Sequence, residues 1–161
     1  MINILPFAPH YLDGVINVIL PIQQAEFKIP VSLESQPDLK NIPSFYQHGI
    51  GNFWIARADE EVVGTVALLD IGNHQAALRK MFVKADYRGS EHGVAKRLLE
   101  TLLLWSQEQS VQEVFLGTTA KFLAAHRFYE KNGFQEIASS ELPQNFPIME
   151  VDTKFYCRAL L

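Results

Sequence analysis

Two separated stretches of this sequence carry residue types suited to holding an anion and to handing over a proton. The first runs from the apolar segment Leu78-Arg79-Lys80-Met81-Phe82-Val83 through Lys84-Ala85-Asp86-Tyr87-Arg88-Gly89 to Gly93-Val94-Ala95. A strand, a glycine-bearing turn and a helix start bring unpaired backbone N–H groups together at the positive end of a helix dipole, where phosphate binds well. Glycine at 89 and 93 lets the backbone approach such an anion and take positive φ. Ser90, Glu91 and His92 lengthen the turn, Arg88 or Lys96 adds positive charge, and Glu91 is expected to point to solvent. The second stretch, Ala124-Ala125-His126-Arg127-Phe128-Tyr129-Glu130-Lys131-Asn132-Gly133-Phe134, places Tyr129 near a helix end. A phenol with an ordinary pKa of about 10 is protonated at neutral pH and can donate.

The elements that must position these residues follow from hydrophobic period and turn chemistry. Residues 2–7 read as a strand. Residues 10–27 contain a helix whose face carries Leu12, Val15, Ile16, Ile19 and Ile22, with Pro21 kinking or ending it. A second short helix starts at Gln36-Pro37-Asp38-Leu39 and runs to about residue 48, where Gly49 and Gly51 break it. Residues 52–58 and 62–71 form a hairpin, and 75–83 add a third strand. Residues 94–109 make a helix with a broad apolar stripe, 113–117 a short buried strand, and 120–132 a helix closed by Gly133. Two strands, 134–137 and 151–157, finish the chain. The order βααβββαβαββ predicts an α/β domain (α+β) with a mixed sheet.

Composition narrows the function classes. A chain of 161 residues, 48% of them apolar and 20% charged, fits one globular domain over residues 1–161. A net charge of −4 gives no footprint for nucleic acid. Cys157 is the one cysteine, which excludes an internal disulfide and leaves no thiolate cluster for a metal; it reads as a small apolar residue. No basic leader or membrane-length apolar run is seen, so a soluble cytoplasmic protein is expected, with no membrane partner and with a homodimer allowed. A dinucleotide fold and a P-loop are disfavoured, because neither glycine fingerprint is present.

From Ala125 onward, the run ending in Tyr129-Glu130-Lys131-Asn132-Gly133-Phe134 resembles the Gcn5-related N-acetyltransferase (GNAT) superfamily. Gly93-Val94-Ala95 followed by Leu98-Leu99 resembles the latter half of that family's phosphate turn, with Ser90 in the place of its Gln or Arg. The resemblance covers the C-terminal half. It implies a GNAT-like fold, acetyl-CoA as acyl donor with no metal, and direct transfer to a small-molecule or peptide primary amine. It implies that the turn from Arg88 through Gly89, Ser90, Glu91, His92, Gly93, Val94 and Ala95 to Lys96 surrounds the pyrophosphate. The backbone of Met81, Phe82 and Val83 would hold the pantetheine and polarise the thioester. Ala125 would let the pantetheine pass, and Tyr129 would protonate the leaving thiolate. Phe122 stands where the family often has Asn, so Thr118 or Thr119 would supply replacement hydroxyls.

An amine attacks only when neutral, so a base is needed. The family often carries an acid early in the strand before the turn, where this chain has Gln75-Ala76-Ala77-Leu78. Glu26, Asp38, Asp70 and His74 are the substitutes, with Glu26 the first choice because its helical region flanks the acceptor cleft in the family. Trp54, Phe45 and Tyr46 would line that cleft, and the loop Leu142-Pro143-Gln144-Asn145-Phe146-Pro147-Ile148-Met149 would enclose it. The alternative is a non-catalytic acyl-CoA sensor.

Overall fold

Strands β1 (Ile2–Pro6), β2 (Asn52–Ala58), β3 (Glu61–Gly72), β4 (Gln75–Val83), β5 (Glu113–Thr118), β6 (Gln135–Ile137) and β7 (Lys154–Ala159) form one sheet in a computed structural model that describes residues 1–89 and 91–160. Their order is β1-β2-β3-β4-β5-β7-β6, and only β4 and β5 run parallel. The helices are α1 (Leu12–Pro21), α2 (Pro37–Lys40), α3 (Ile42–Tyr46), α4 (Val94–Glu108) and α5 (Leu123–Lys131). The expected mixed α/β architecture is therefore present. No helix among the described residues is long and apolar enough to cross a membrane.

Prolines interrupt two helical regions, the first as expected and the second not. Pro21 has no N–H for the carbonyl of Asn17, so regular helix stops there. The chain continues as a wider turn, Ile22–Glu26, in which the Phe27 N–H bonds Ile22 O at 3.0 Å. The helix expected from Pro37 onward divides at Asn41, because Pro43 cannot donate to Leu39.

Each sheet face buries a different helical layer. On one face Val94, Leu98, Leu99 and Leu102 of α4 pack on Trp54, Ala56, Val66, Leu68 and Leu78. Trp54, expected in the acceptor cleft, belongs to this core instead, 6.0 Å from the Trp105 ring. On the other face Val15, Val18 and Ile19 of α1 join Ile42 and Tyr46 of α3 over Phe53, Ile55 and Ala67.

Two irregularities in β4 create the site. β4 pairs with β5 only through Gln75–Glu113, Ala76–Val114 and Ala77–Phe115. Beyond these three pairs the strands separate, leaving a groove between Leu78–Val83 and Leu116–Thr118. The second irregularity is a bulge. Against β3 the register passes from Ala67↔Arg79 to Thr65↔Phe82, so Val66 faces both Lys80 and Met81. Lys80 takes φ 55°, and the Thr65 hydroxyl donates to its carbonyl at 2.7 Å. The extra residue alters the alternation: Leu78, Met81 and Val83 face the α4 layer, while Phe82 faces the α1 layer.

Close helix–sheet approach on the α4 side depends on Gly64. A Cβ there would meet Leu98 and Val94 side-chain carbons at 3.1 Å and the Phe82 carbonyl at 3.3 Å. Gly64→Val is expected to lower stability by about 1–3 kcal/mol through overpacking, as read by urea unfolding.

Candidate active site

The turn after β4 leads into α4 with the backbone geometry expected of an anion site. Gly93 is the N-cap of α4 in the left-handed region (φ 61°, ψ 22°), with no side-chain cap among the described residues. Helical bonding begins when Arg97 N–H donates to Gly93 O at 2.9 Å. The N–H groups of Val94, Ala95 and Lys96 are therefore available to an anion. Glu91, His92 and Lys96 are exposed around this end, and the His92 ring lies 5.3 Å from Tyr87. Gly89 also has positive φ, 96°. Ser90 lies outside the described residues.

Arg88 and Glu26, expected at the phosphate and at the acceptor respectively, instead meet each other. Arg88 Nη1 and Nη2 reach the two Glu26 carboxylate oxygens at 2.6 and 2.7 Å, and Nε donates to Val83 O at 2.8 Å. The Arg88 hydrogen bond holds the Glu26 carboxyl below its usual pKa, against a smaller upward push from burial. Glu26 is thus a weaker base than an ordinary glutamate, and it sits against the turn.

Tyr129 and the cationic residues occupy opposite faces of the groove. Tyr129 is buried on the α4–α5 side with Ala125, Phe128, Phe134 and Tyr156. Among the described residues Arg57 Nε is the one fully buried side-chain polar atom without a partner. The Tyr129 hydroxyl, which also makes no hydrogen bond, therefore keeps an opening to solvent. Burial raises its pKa, so the phenol stays protonated across the working range. The same shift favours hydrogen-bond donation over complete proton release. Phe122, at the N-cap of α5, packs edge-on to Phe27 at 4.6 Å and to Phe82 at 6.3 Å, spanning the open end of the groove. Thr118 and Thr119 are buried; Thr118 O accepts from Thr153 N–H at 2.9 Å, and Thr119 Oγ1 from Lys121 N–H at 3.4 Å.

On the α1–α3 side the bulge presents a polar cluster. Lys80 Nζ lies 2.5 Å from Gln36 Oε1 and 3.5 Å from Asp38 Oδ2, and the Tyr46 hydroxyl donates to the same Asp38 oxygen at 2.6 Å. Gln36 is braced by reciprocal amide bonds with Gln23 at 2.9 and 3.1 Å. Burial pulls the Lys80 pKa down to about 8, with Asp38 opposing that shift. Beside Lys80, the Arg79 guanidinium lies 5.9 Å from both the Phe45 and Tyr46 ring centres, and Nη2 is 3.5 Å from Met149 Sδ.

Sequence reasoning missed Asp152. Its Oδ2 accepts from Met149 N–H at 3.0 Å, and it lies over Gly117 of β5, where a Cβ would meet that oxygen at 2.6 Å. Burial raises its pKa, partly offset by the Met149 hydrogen bond and by the charges of Arg79 and Lys80. The one signal available was the absence of a side chain at Gly117, which gains meaning only once β5 and the final loop are seen together. The other substitutes for the base have structural partners. Asp38 holds Tyr46 and Lys80, while Asp70 accepts from Ile50 and Gly72 N–H at 3.3 and 2.9 Å. His74 is exposed at the β3–β4 turn. Of the enclosing loop, Phe146 packs into the core against Phe155, whereas Met149 stays 40% exposed beside Arg79. Cys157 is half-buried, and burial pushes its thiol up to about 11, which keeps it unreactive.

Comparison with known proteins is decisive for the family. Residues 49–136 match the Acetyltransferase (GNAT) domain family, and a GNAT-family acetyltransferase from Staphylococcus aureus Mu50 superposes over 100% of both chains with a TM-score of 0.96 and 40% identity. The chain belongs to the GNAT acetyltransferase family. The N-acetylaspartate synthetase of Xenopus tropicalis is 36% identical over 108 residues, 65% of this chain and 38% of that protein. The chain spans about half or less of the length of the curated relatives it matches. The PaiA N-acetyltransferase of Thermoplasma acidophilum, solved with coenzyme A, shares the fold at 18% identity and a TM-score of 0.76, over 99% of each chain.

The GNAT turn makes a direct test available. A Cβ at Gly93 meets nothing within 4 Å, so substitution there costs little beyond about 1–2 kcal/mol for the left-handed backbone. Gly93→Glu sets a carboxylate against the anion site. Calorimetry is expected to show acetyl-CoA binding lost while circular dichroism shows the fold retained.

Proposed function

We propose that the protein is an acetyl-CoA-dependent N-acetyltransferase that moves an acetyl group directly to a primary amine. The reading rests on one observation: β4 and β5 separate after three pairs, with Tyr129 in the α4–α5 layer on one side and the Asp152 carboxylate over Gly117 of β5 on the other. The fit to acetyl-CoA is supported by the free first-turn amides of α4, which suit a pyrophosphate, and by separated strand edges that suit an extended amide chain. When bound, acetyl-CoA supplies a thioester carbonyl that an amine can attack.

The chain's own residues then have distinct tasks. Val94, Ala95 and Lys96 N–H groups, with the side chain of Lys96 nearby, hold the phosphates. The backbone of Met81, Phe82 and Val83 lines the groove, with the Val83 carbonyl already committed to Arg88. Gly89, Glu91 and His92 shape the turn, and Arg88 anchors it to Glu26. Ala125 and Thr118 flank the groove from the α5 side. Asp152 takes the proton that the attacking nitrogen loses. The Tyr129 hydroxyl donates toward the sulfur as the C–S bond breaks, so that the thiol leaves neutral. The base thus passes from Glu26, held by Arg88, to Asp152. Backbone donors aimed at the carbonyl oxygen stabilise its developing charge. Relatives named for making N-acetylaspartate support an acceptor of amino-acid size.

Thiol release from acetyl-CoA with a panel of amines, amino acids, polyamines and peptides tests the reading; binding without release would leave an acyl-CoA sensor. Two variants test the roles. Asp152→Asn is expected to lower turnover by about 10²-fold or more. Because Asp152 must be ionised to act, activity falls as pH drops through its raised pKa. At low pH log kcat/KM should therefore fall with two protons in the wild type, from the amine and Asp152, and with one in the variant. Tyr129→Phe is expected to lower kcat by about 10²-fold with little change in acetyl-CoA affinity. An unchanged chemical rate would return Tyr129 to core packing.

A further inference from the structure

We infer that the acceptor amine carries a carboxylate and that Arg79 binds it. This rests on the acetyltransferase reading and adds the substrate class. Arg79 is the cation of the acceptor-side cluster with no ionic partner: no carboxylate lies within 4.0 Å of it among the described residues, while Lys80 is matched by Asp38 at 3.5 Å. Its Nη2 has only a thioether sulfur, a weak acceptor, at 3.5 Å. The Phe45 and Tyr46 rings hold the guanidinium from the side, each 5.9 Å from Cζ, so the fork is positioned before any ligand arrives. A planar, fixed guanidinium with its hydrogen-bonding edge uncommitted is matched by a carboxylate, which accepts two parallel N–H bonds.

The placement relative to the proposed base supplies the second half of the argument. Asp152 and Arg79 contact the same residue: Met149 N–H bonds the carboxylate at 3.0 Å, and Met149 Sδ meets the guanidinium at 3.5 Å. One residue therefore reaches both groups, and the Arg79 charge acts on Asp152, so a small molecule with an amine and an acid can address the two together. Charge balance points the same way. Once Asp152 has taken the amine proton it is neutral, and Arg79 faces the cleft with no counter-charge unless the acceptor brings one. The half-exposed Phe45 and Met149 offer apolar contact to the remainder of the molecule.

The test uses purified protein, acetyl-CoA, and amino acids each paired with its own neutral carboxamide, with thiol release as the signal. The wild type is expected to favour the carboxylate form by about 10–100-fold in kcat/KM, the range of a hydrogen-bonded charge. Arg79→Met should remove that preference, chiefly through KM for the carboxylate form, so that the two forms converge; any change that reaches Asp152 through the lost charge falls on both forms alike. Arg79→Lys, which keeps the charge but not the fork, should restore part of it. Release with carboxamides and simple amines but no carboxylate preference in the wild type overturns the inference and leaves the acetyltransferase reading intact. An equal loss on both forms in Arg79→Met and Arg79→Lys also overturns it, making Arg79 a packing residue. No release with any acceptor overturns both.

Discussion

Everything functional in this molecule depends on two parallel strands that stop pairing too soon. Backbone N–H and C=O groups inside a protein must find partners, and a sheet normally supplies them from the next strand. Here β4 and β5 meet through three residue pairs and then separate, so two strand edges face each other across a groove between packed layers. An edge of that kind is a liability unless something is meant to lie along it. Alignment with the α4 N-terminus at the same end of the sheet gives such an occupant a place for its negative charge.

The bulge at Lys80 completes what the separation begins. One additional residue in β4 turns consecutive side chains, Arg79 and Lys80, toward the α2–α3 side and leaves Met81 on the other. The cost of burying Lys80 is met by Asp38, Gln36 and Tyr46, a network whose members come from the split helical region and from β4. The sheet therefore separates two chemistries: aromatic, apolar surroundings that keep Tyr129 protonated, and a charged surface where Asp152, Arg79 and Lys80 adjust one another.

Elements with a strong period were legible in the sequence. β2, β4 and the start of α4 fall where alternation and the leucine stripe put them, and Gly133 has the positive φ that closing α5 requires. The glycine turn and the tyrosine helix were readable because both are local in sequence. What could not be read was pairing between distant residues. Glu26 and Arg88 are 62 positions apart, and nothing in either neighbourhood announces their ion pair. Asp152 gains its character from Gly117 beneath it and from burial under a loop with no periodicity. Pro43, which divides the second helical region, was visible, and its missing N–H was enough to forbid one continuous helix.

The sheet order has a consequence for how the chain is made. β7 follows β6 in sequence yet lies between β5 and β6, bonded to both. During synthesis, β1 to β4 with α1 and α4 can assemble as soon as they emerge, since their pairings are between neighbours in sequence. The second half has no such order. Until Lys154–Ala159 is available, β5 rests on three pairs with β4, and β6 has no strand beside it. The groove's far wall is thus the last part of the protein to become rigid, and a ribosome that stalls shortly before residue 154 leaves a formed glycine turn facing an unfinished wall.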